Sequence, residues 1–119
     1  MLRFRILVVL AALAALTMTA VSEATAPPKL VGAVGPGFTI GMKRFNKKLV
    51  TLKAGRYTIT VSDKSSIHNF HLKGPGLNKE ITTVGFVGTK TVILTLKKGK
   101  YTFVCDPHAS IMKGSFIVK

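Results

Sequence analysis

The sequence predicts an all-β protein, a Greek-key antiparallel β-sandwich of about seven to eight strands. Short apolar runs repeat along the chain, and glycine, proline and aspartate residues separate them as turns. Along residues 57–62, large apolar side chains alternate with threonine and serine, which is the period of a strand with one buried face. No segment after the first 26 residues shows the period of an amphipathic helix. Together these patterns favour two packed sheets over any helical architecture.

The first 24 residues are predicted to be a secretory signal peptide. Two arginines precede an unbroken apolar run, Ile6–Leu16, and small residues then lead to cleavage after Ala24 or Ala26. The apolar run is short for a membrane-spanning helix. We therefore expect the protein to be exported, and so periplasmic or secreted. Retention of this segment as an N-terminal anchor is the alternative.

Length and cysteine count limit the protein to a single small domain without an internal disulfide. The chain has 119 residues, one cysteine and a formal net charge of +14. That length leaves room for one domain, and a single cysteine excludes an internal disulfide. Small exported domains usually gain stability from disulfides or from a metal, so a metal site is expected here.

The predicted strands follow one another with short connections. Residues 25–36 are expected to form a linker and a first short strand, and residues 37–119 the main domain. We expect residues 43–48 to form a loop or a fragment of helix, and residues 73–79 to form a loop rich in glycine, proline and asparagine. The predicted strands are Leu30–Val34, Phe38–Met42, residues 57–62, Ile67–Leu72, Thr91–Leu96, Tyr101–Cys105 and Ser115–Val118.

An internal sequence similarity supports the prediction of a sandwich. The segment Thr51–Thr58 recurs as Thr95–Thr102, and each copy ends a strand, turns at a glycine and begins a new strand with a tyrosine. Two copies are too few for a repeat protein. We therefore expect two equivalent corners of the sandwich, with Tyr57 and Tyr101 fixing the turns.

A soft metal-ligand set lies near the C-terminus. Cys105, His108 and Met112 bring a thiolate, an imidazole and a thioether within eight residues. Thiolate and thioether donors suit copper, whereas Zn²⁺ rarely accepts methionine. Pro107 stiffens the tight loop between the cysteine and the histidine. A second imidazole has to come from another strand.

Strand alternation favours His68 over His71 as that second imidazole. His68 shares a face with Phe70 and Leu72, whereas His71 shares the opposite face with Asn69. The face that carries Phe70 and Leu72 is the apolar one, so His68 is expected to point into the sandwich. A bulge near residue 68 would upset this phase, and His71 therefore remains the alternative.

These residues resemble the cupredoxins, in particular the small plastocyanin-like or pseudoazurin-like blue copper proteins. The motif Y-T-F-x-C-x-P-H-x-x-x-M-x-G-x-F-x-V spans residues 101–118, and I-H-N-F-H-L spans residues 67–72. The resemblance covers the chain from about Phe38 to Lys119. It implies one type 1 copper ion held by His68, Cys105 and His108, with Met112 as the weak axial ligand. It also implies that Asn69 hydrogen-bonds to the cysteine-bearing loop and keeps the ligand frame rigid.

The same resemblance implies that the protein carries single electrons and is not an enzyme. His108 would lie near the surface as the electron port, inside an apolar patch formed by Pro75, Pro107, Ala109 and Ile111. The alternative is a copper-binding protein that stores or delivers the metal. Mobile methionine-rich or histidine-rich tracts, which such proteins use, are absent from the sequence.

The charge balance predicts the kind of partner. Eighteen basic against four acidic side chains steer association toward an acidic redox protein or an anionic membrane surface. Nucleic acid is not expected as a partner, because no aromatic residues are interleaved with the basic ones as stacking platforms. Repulsion between like-charged copies favours a monomer.

Overall fold

A computed structural model describes residues 12–20 and 25–119 of the chain. Residues 12–20 form no regular secondary structure. Much of the predicted signal peptide, residues 1–11 and 21–24, lies outside the described residues, so the signal peptide remains a prediction. The described part of the chain contains no helix long and apolar enough to cross a membrane.

Ten strands and one short 3₁₀ helix make up the folded body. The helix spans Asp106–His108. The strands are β1 (Lys29–Val34), β2 (Ile40–Arg44), β3 (Lys47–Lys48), β4 (Thr51–Leu52), β5 (Gly55–Asp63), β6 (Phe70–Gly74), β7 (Leu77–Thr82), β8 (Gly88–Leu96), β9 (Gly99–Val104) and β10 (Lys113–Val118).

The strands form two five-stranded sheets, which confirms the predicted sandwich. The order in the first sheet is β3-β2-β1-β5-β8, and in the second it is β4-β10-β9-β6-β7. Most neighbouring strands are antiparallel, but β1 pairs with β5 in parallel and β4 pairs with β10 in parallel. Each sheet is therefore mixed, because in each one two strands far apart in sequence run side by side in the same direction.

The core lies between the two sheets and follows the period-two pattern. Alternate residues of β1 and β5 are buried, including Leu30, Ile59 and Val61. Across from them the second sheet contributes Phe70 and Phe103, whose rings stack at 5.8 Å between centroids. Burial of such apolar surface is the main source of stability for a sandwich of this size.

The two similar segments, Thr51–Thr58 and Thr95–Thr102, form equivalent corners of the sandwich, as their similarity predicts. The Tyr57 hydroxyl donates a hydrogen bond of 2.7 Å to the Lys53 carbonyl. The Tyr101 hydroxyl donates to the Lys97 carbonyl at 3.0 Å and accepts from the Lys97 amide at 2.8 Å. Each buried tyrosine thus pins the chain four residues before it, at the turn that opens its strand.

Two connections differ from the sequence-based expectation. Residues 43–48 form a hairpin of β2 and β3, not a loop or helix, and Phe45 and Asn46 make its tight turn with positive φ angles of 50° and 61°. That turn matches the twist of paired strands. Residues 73–79 are also mostly paired, because Gly74 faces Leu77 across a two-residue turn and β7 continues beyond it. In both places the strands were missed because their sequences do not alternate between apolar and polar residues.

Strand direction defines two ends of the sandwich. Strand β9 begins with Gly99 at one end and reaches Val104 at the other, directly before Cys105. Strand β6 begins at the same end as Cys105, because His71 pairs with Val104. Strand β1 also ends there, because the Gly37 carbonyl, which follows β1, lies 2.9 Å from the His68 Nε2. We call this end the donor end, since it carries Cys105 and His68.

We predict that Gly114→Ala destabilises the fold by about 1–3 kcal/mol, because overpacking distorts a filled core. A Cβ at this position would lie 2.3 Å from Cζ of the Phe103 ring, which already stacks on Phe70. The matched control is Gly41→Ala, where a Cβ meets no atom within 4 Å. Chemical unfolding of both variants measures the difference, and equal losses would contradict this account of Gly114.

Candidate metal centre

Three donor atoms from two distant parts of the chain meet at the donor end. The Cys105 Sγ lies 3.6 Å from the His68 Nδ1 and 3.6 Å from the His108 Nδ1. The two Nδ1 atoms are 3.1 Å apart. Cys105 and His68 are fully buried, whereas His108 is half-buried. The three side chains therefore form a compact triangle with one imidazole reaching toward the surface.

The protein fixes the orientation of the His68 ring through its other nitrogen. The His68 Nε2 lies 2.9 Å from the Gly37 carbonyl oxygen, which can only accept a hydrogen bond. The proton of the neutral ring therefore sits on Nε2, and the Nδ1 lone pair faces Cys105 and His108. Metal-binding histidines are commonly oriented in this way by a partner on the second nitrogen.

The triangle fits a single metal ion. Nitrogen and sulfur ligands stand about 2.0–2.1 Å and about 2.3 Å from an ion such as zinc, so ligands around one centre are separated by roughly 3–4 Å. The observed edges of 3.1, 3.6 and 3.6 Å fall in that range. One thiolate and two imidazoles make the trigonal donor set of blue-copper sites.

Met112 joins this set through the loop that follows the strand. Its side chain is fully buried, and its carbonyl accepts a hydrogen bond of 3.0 Å from the Cys105 amide. The Met112 amide in turn donates to the His108 carbonyl at 2.8 Å. Pro107 lies inside the 3₁₀ turn of this loop, where its fixed φ angle suits the backbone. One closed loop therefore carries the thiol, an imidazole and the thioether.

Asn69 ties that loop to the beginning of β6. Its side-chain amide donates to the Asp106 Oδ2 at 2.7 Å, and its carbonyl oxygen accepts from the Asp106 amide at 2.7 Å. Asn69 is buried and the Asp106 side chain is 42% exposed, so these bonds are partly shielded from water. This pair connects the residue after His68 with the residue after Cys105, as the resemblance implied for Asn69.

His71, the alternative ligand, lies outside the triangle. Its Nδ1 is 2.8 Å from the Asp106 Oδ2, and its Nε2 faces the Asn78 side-chain oxygen. The reading of His71 as a ligand is therefore set aside. The strand itself starts only at Phe70, so His68 and Asn69 precede the regular alternation and both are buried.

Several groups act on the charge of Asp106. Desolvation works to raise its pKa, but the hydrogen bonds from Asn69 and His71 and the positive charges of His71 and Lys73 lower it. The net effect holds the pKa of Asp106 below its ordinary value. The carboxylate is thus the stable form, which is the form that accepts the hydrogen bonds closing the loop.

An apolar surface surrounds the half-buried His108. The Phe38 ring packs edge-on against both imidazoles, with centroids 5.5 Å from His68 and 5.0 Å from His108. Phe38 is 57% exposed and Ile111 is 65% exposed, and Ala109 and Pro107 are exposed beside them. The donor triangle therefore lies directly beneath a surface of apolar side chains.

Pro75 is not part of this surface, and that expectation is corrected. Strand β6 runs away from the donor end, so the turn after Gly74 lies at the opposite end of the sandwich. There the Pro75 ring packs beside Gly99, where β9 begins. The Gly-Pro pair after the histidine motif marks a hairpin turn, and sequence proximity to His68 was misleading.

Gly37 and Phe38 are contributions to the centre that the sequence did not reveal. Both belong to the connection between β1 and β2, which the sequence marks as a turn through Gly35-Pro-Gly37. The Gly37 carbonyl meets the His68 ring across 31 positions of sequence, and the pairing of β1 with β5 brings both segments to the same end of the sandwich. The only sequence signal for this contribution was a phenylalanine directly after the Gly35-Pro-Gly37 turn.

Comparisons with known proteins agree with the geometry. The model for copper binding proteins of the plastocyanin/azurin family matches residues 34–119. A single-residue variant of rusticyanin is 25% identical, with a TM-score of 0.56 and 76% of each chain covered. Reduced rusticyanin is 24% identical, with a TM-score of 0.55 and 82% of each chain covered.

Auracyanin A, described as a "blue" copper protein from the photosynthetic bacterium Chloroflexus aurantiacus, shares the fold. It is 20% identical with a TM-score of 0.56, and the match covers 79% of this chain and all 100% of that one. No match was found among curated proteins. Taken with the family match, His68, Cys105, His108 and Met112 are arranged as a type 1 copper site.

We predict that Asn69→Ala lowers the free energy of unfolding of the copper-free protein by about 1.5–3 kcal/mol, since one of the two lost bonds reaches a carboxylate. Asn78→Ala is the control, because the exposed Asn78 touches His71 but not Asp106. It should cost less than about 1 kcal/mol. Denaturant titrations of both variants measure the two losses in unfolding free energy. Equal losses would contradict a stabilising role for the hydrogen bonds between Asn69 and Asp106.

Proposed function

Because the chain belongs to the plastocyanin/azurin family of copper-binding proteins, we propose that it is a blue copper protein that carries single electrons. The observation that supports this most is the triangle of two imidazole Nδ1 atoms and one thiol Sγ, with edges of 3.1, 3.6 and 3.6 Å. When bound, copper supplies the chemistry, a one-electron exchange between Cu(II) and Cu(I).

The protein's part in this exchange is to keep the donors still. The Gly37 carbonyl holds the His68 ring, and Asn69 with Asp106 holds the loop that carries Cys105 and His108. Donors that keep their positions in both oxidation states leave little rearrangement to accompany the transfer. The buried Cys105 and His68 also exclude water from the centre.

The apolar surface around His108 is the proposed electron port. His108 is the one member of the triangle that is partly exposed, and Phe38, Ala109 and Ile111 flank it with side chains that need little desolvation. A redox partner that packs on this surface would approach the centre through a single imidazole. Met112, whose side chain is buried in the same loop, is proposed as the residue that would complete the ligand set as a weak thioether donor.

We propose a carrier rather than an enzyme, operating outside the cytoplasm with an acidic redox protein as its partner. The chain has three histidines, of which two belong to the triangle and the third binds Asp106. A copper oxidase would need further copper ions and further histidines. The net charge of +14 supports an acidic partner, and the signal-peptide pattern supports export.

We predict that one equivalent of Cu(II) gives the full chain an intense blue or green absorption with narrow copper hyperfine splitting. Charge transfer from the Cys105 thiolate is the origin of this band, so Cys105→Ser should abolish it. His71→Ala is the control and should keep the band, because His71 lies outside the triangle. A pale spectrum from the unaltered protein would overturn the proposed copper site.

Metal exchange separates the carrier from the alternative, a copper store or courier. A carrier has to retain copper in both oxidation states, whereas a courier has to release it to an acceptor. Transfer of Cu(I) to a chelator in excess should be slow, over hours, for a carrier. Release within seconds, with the blue band intact beforehand, would favour storage and delivery.

We predict that Ala109→Asp slows electron self-exchange between oxidised and reduced copies about tenfold, because a charge is desolvated in the contact. The visible spectrum should stay the same, since Ala109 is exposed and is not a donor. Ala54→Asp, at an exposed position at the other end of the sandwich, is the matched control. Line broadening in NMR spectra of mixed oxidation states measures the rate, and equal slowing by both variants would exclude the His108 port.

A further inference from the structure

The charges of the folded body are separated along the length of the sandwich. All three acidic residues of the segment 25–119, Asp63, Glu80 and Asp106, lie in the half that contains the donor end. The opposite end carries Lys29, Arg44, Lys53, Arg56, Lys97 and Lys98 with no acidic side chain among them. We call this opposite end the basic end.

Exposed apolar side chains interrupt the basic end. Phe45 is 84% exposed at the tip of the β2–β3 hairpin, and Val50 is 62% exposed just beyond it. The tip is surrounded by cations, since Arg44 lies 4.9 Å from the Phe45 ring centroid and Lys47 follows in β3. A protruding aromatic ring among lysines and arginines is typical of a surface that rests in a lipid interface.

A recess beside this hairpin adds a site for an anion. It has a volume of about 780 Å³, and Arg44, Lys53, Arg56 and Lys119 are among the residues that line it. The Arg44 Nε is buried without a hydrogen-bond partner, while the guanidinium lies 5.8 Å from the Tyr57 ring centroid. The four cationic side chains make the recess positively charged, which suits a headgroup phosphate.

We propose that the basic end docks on an anionic lipid surface, with Phe45 inserted between headgroups and the donor end directed away from the membrane. Each Lys or Arg near such a surface strengthens attachment, and the apolar tip adds contact with the acyl boundary. Strand β9 leads from this end to Cys105 and rises about 20 Å on the way. The apolar surface around His108 thus stays open to a redox partner.

The position of the N-terminal segment agrees with this orientation. Strand β1 begins with Lys29 at the basic end, so the preceding residues join the folded body there. An acidic protein could match the charge of the basic end, but an apolar tip that projects from among cations matches a layer of anionic headgroups with acyl chains beneath it. A lipid surface accounts for the charge and for Phe45 together.

Vesicle sedimentation tests the proposal with the copper-loaded full chain. The probes are vesicles of phosphatidylglycerol and phosphatidylcholine at 3:7, compared with pure phosphatidylcholine, at roughly 0.1 M salt. We expect the double variant Lys53→Glu with Arg56→Glu to bind the anionic vesicles at least about tenfold more weakly than the unaltered chain. The double variant Lys64→Glu with Lys90→Glu makes the same change in net charge in the donor half, and it should lose less than about threefold.

A fluorescent reporter tests the insertion of the hairpin tip. The chain has no tryptophan, so Phe45→Trp gives emission from this position alone. Anionic vesicles should shift that emission to shorter wavelength. Val87→Trp, at an exposed position next to Gly88, which pairs with Asp63 in the donor half, should show no shift. Equal losses for both double variants, or no shift for Phe45→Trp, would overturn the docking geometry.

A third outcome would assign the basic end to a protein partner. In that case the Lys53 and Arg56 variants would slow electron transfer to an acidic redox protein and leave vesicle binding unchanged, which contradicts the proposal. The blue absorption of every variant is recorded throughout. A failure of the copper site would remove that band, whereas a failure of membrane docking would leave it intact.

Discussion

The pair formed by Asn69 and Asp106 is the constraint on which the donor end depends. One imidazole comes from the chain before β6 and the other donors come from the loop after β9, 37 positions later. Two hydrogen bonds of 2.7 Å join these stretches next to the ligands themselves. His71 and Lys73 then hold the carboxylate in its charged form from the outer face of the sheet. Relative placement of the donors is thereby set by the protein before any metal arrives.

The sandwich also separates two kinds of surface. At the donor end, Phe38 and Ile111 present apolar area over a half-buried imidazole, and acidic side chains offset nearby lysines. At the basic end, cations accumulate without compensation and surround an exposed ring. Strands that cross the whole body, such as β5 and β9, hold the two ends at a fixed separation. A small single domain can in this way bind two partners at once without an interdomain hinge.

Much of this arrangement could be read from local sequence. The alternation in β5, the paired tyrosine corners and the ligand spacing from Cys105 to Met112 all depend on residues close together in the chain. The parallel pairs, the contact of Gly37 with His68 and the position of Pro75 could not be read, because they depend on which strands become neighbours. The short hairpin at Phe45 was missed for a different reason, since its two-residue strand carries no apolar alternation. The predicted boundaries of the signal peptide and the domain remain predictions.

The loop between β9 and β10 carries the Cys105 thiol, one imidazole and the Met112 thioether, and its own backbone closes it. The Cys105 amide donates to the Met112 carbonyl, and the Met112 amide donates to the His108 carbonyl. Strand β10 follows this loop directly and pairs with both β9 and β4. Detachment of β10 from the second sheet would therefore release one side of the loop as well. Local unfolding of that strand and dispersal of the donors are thereby a single event.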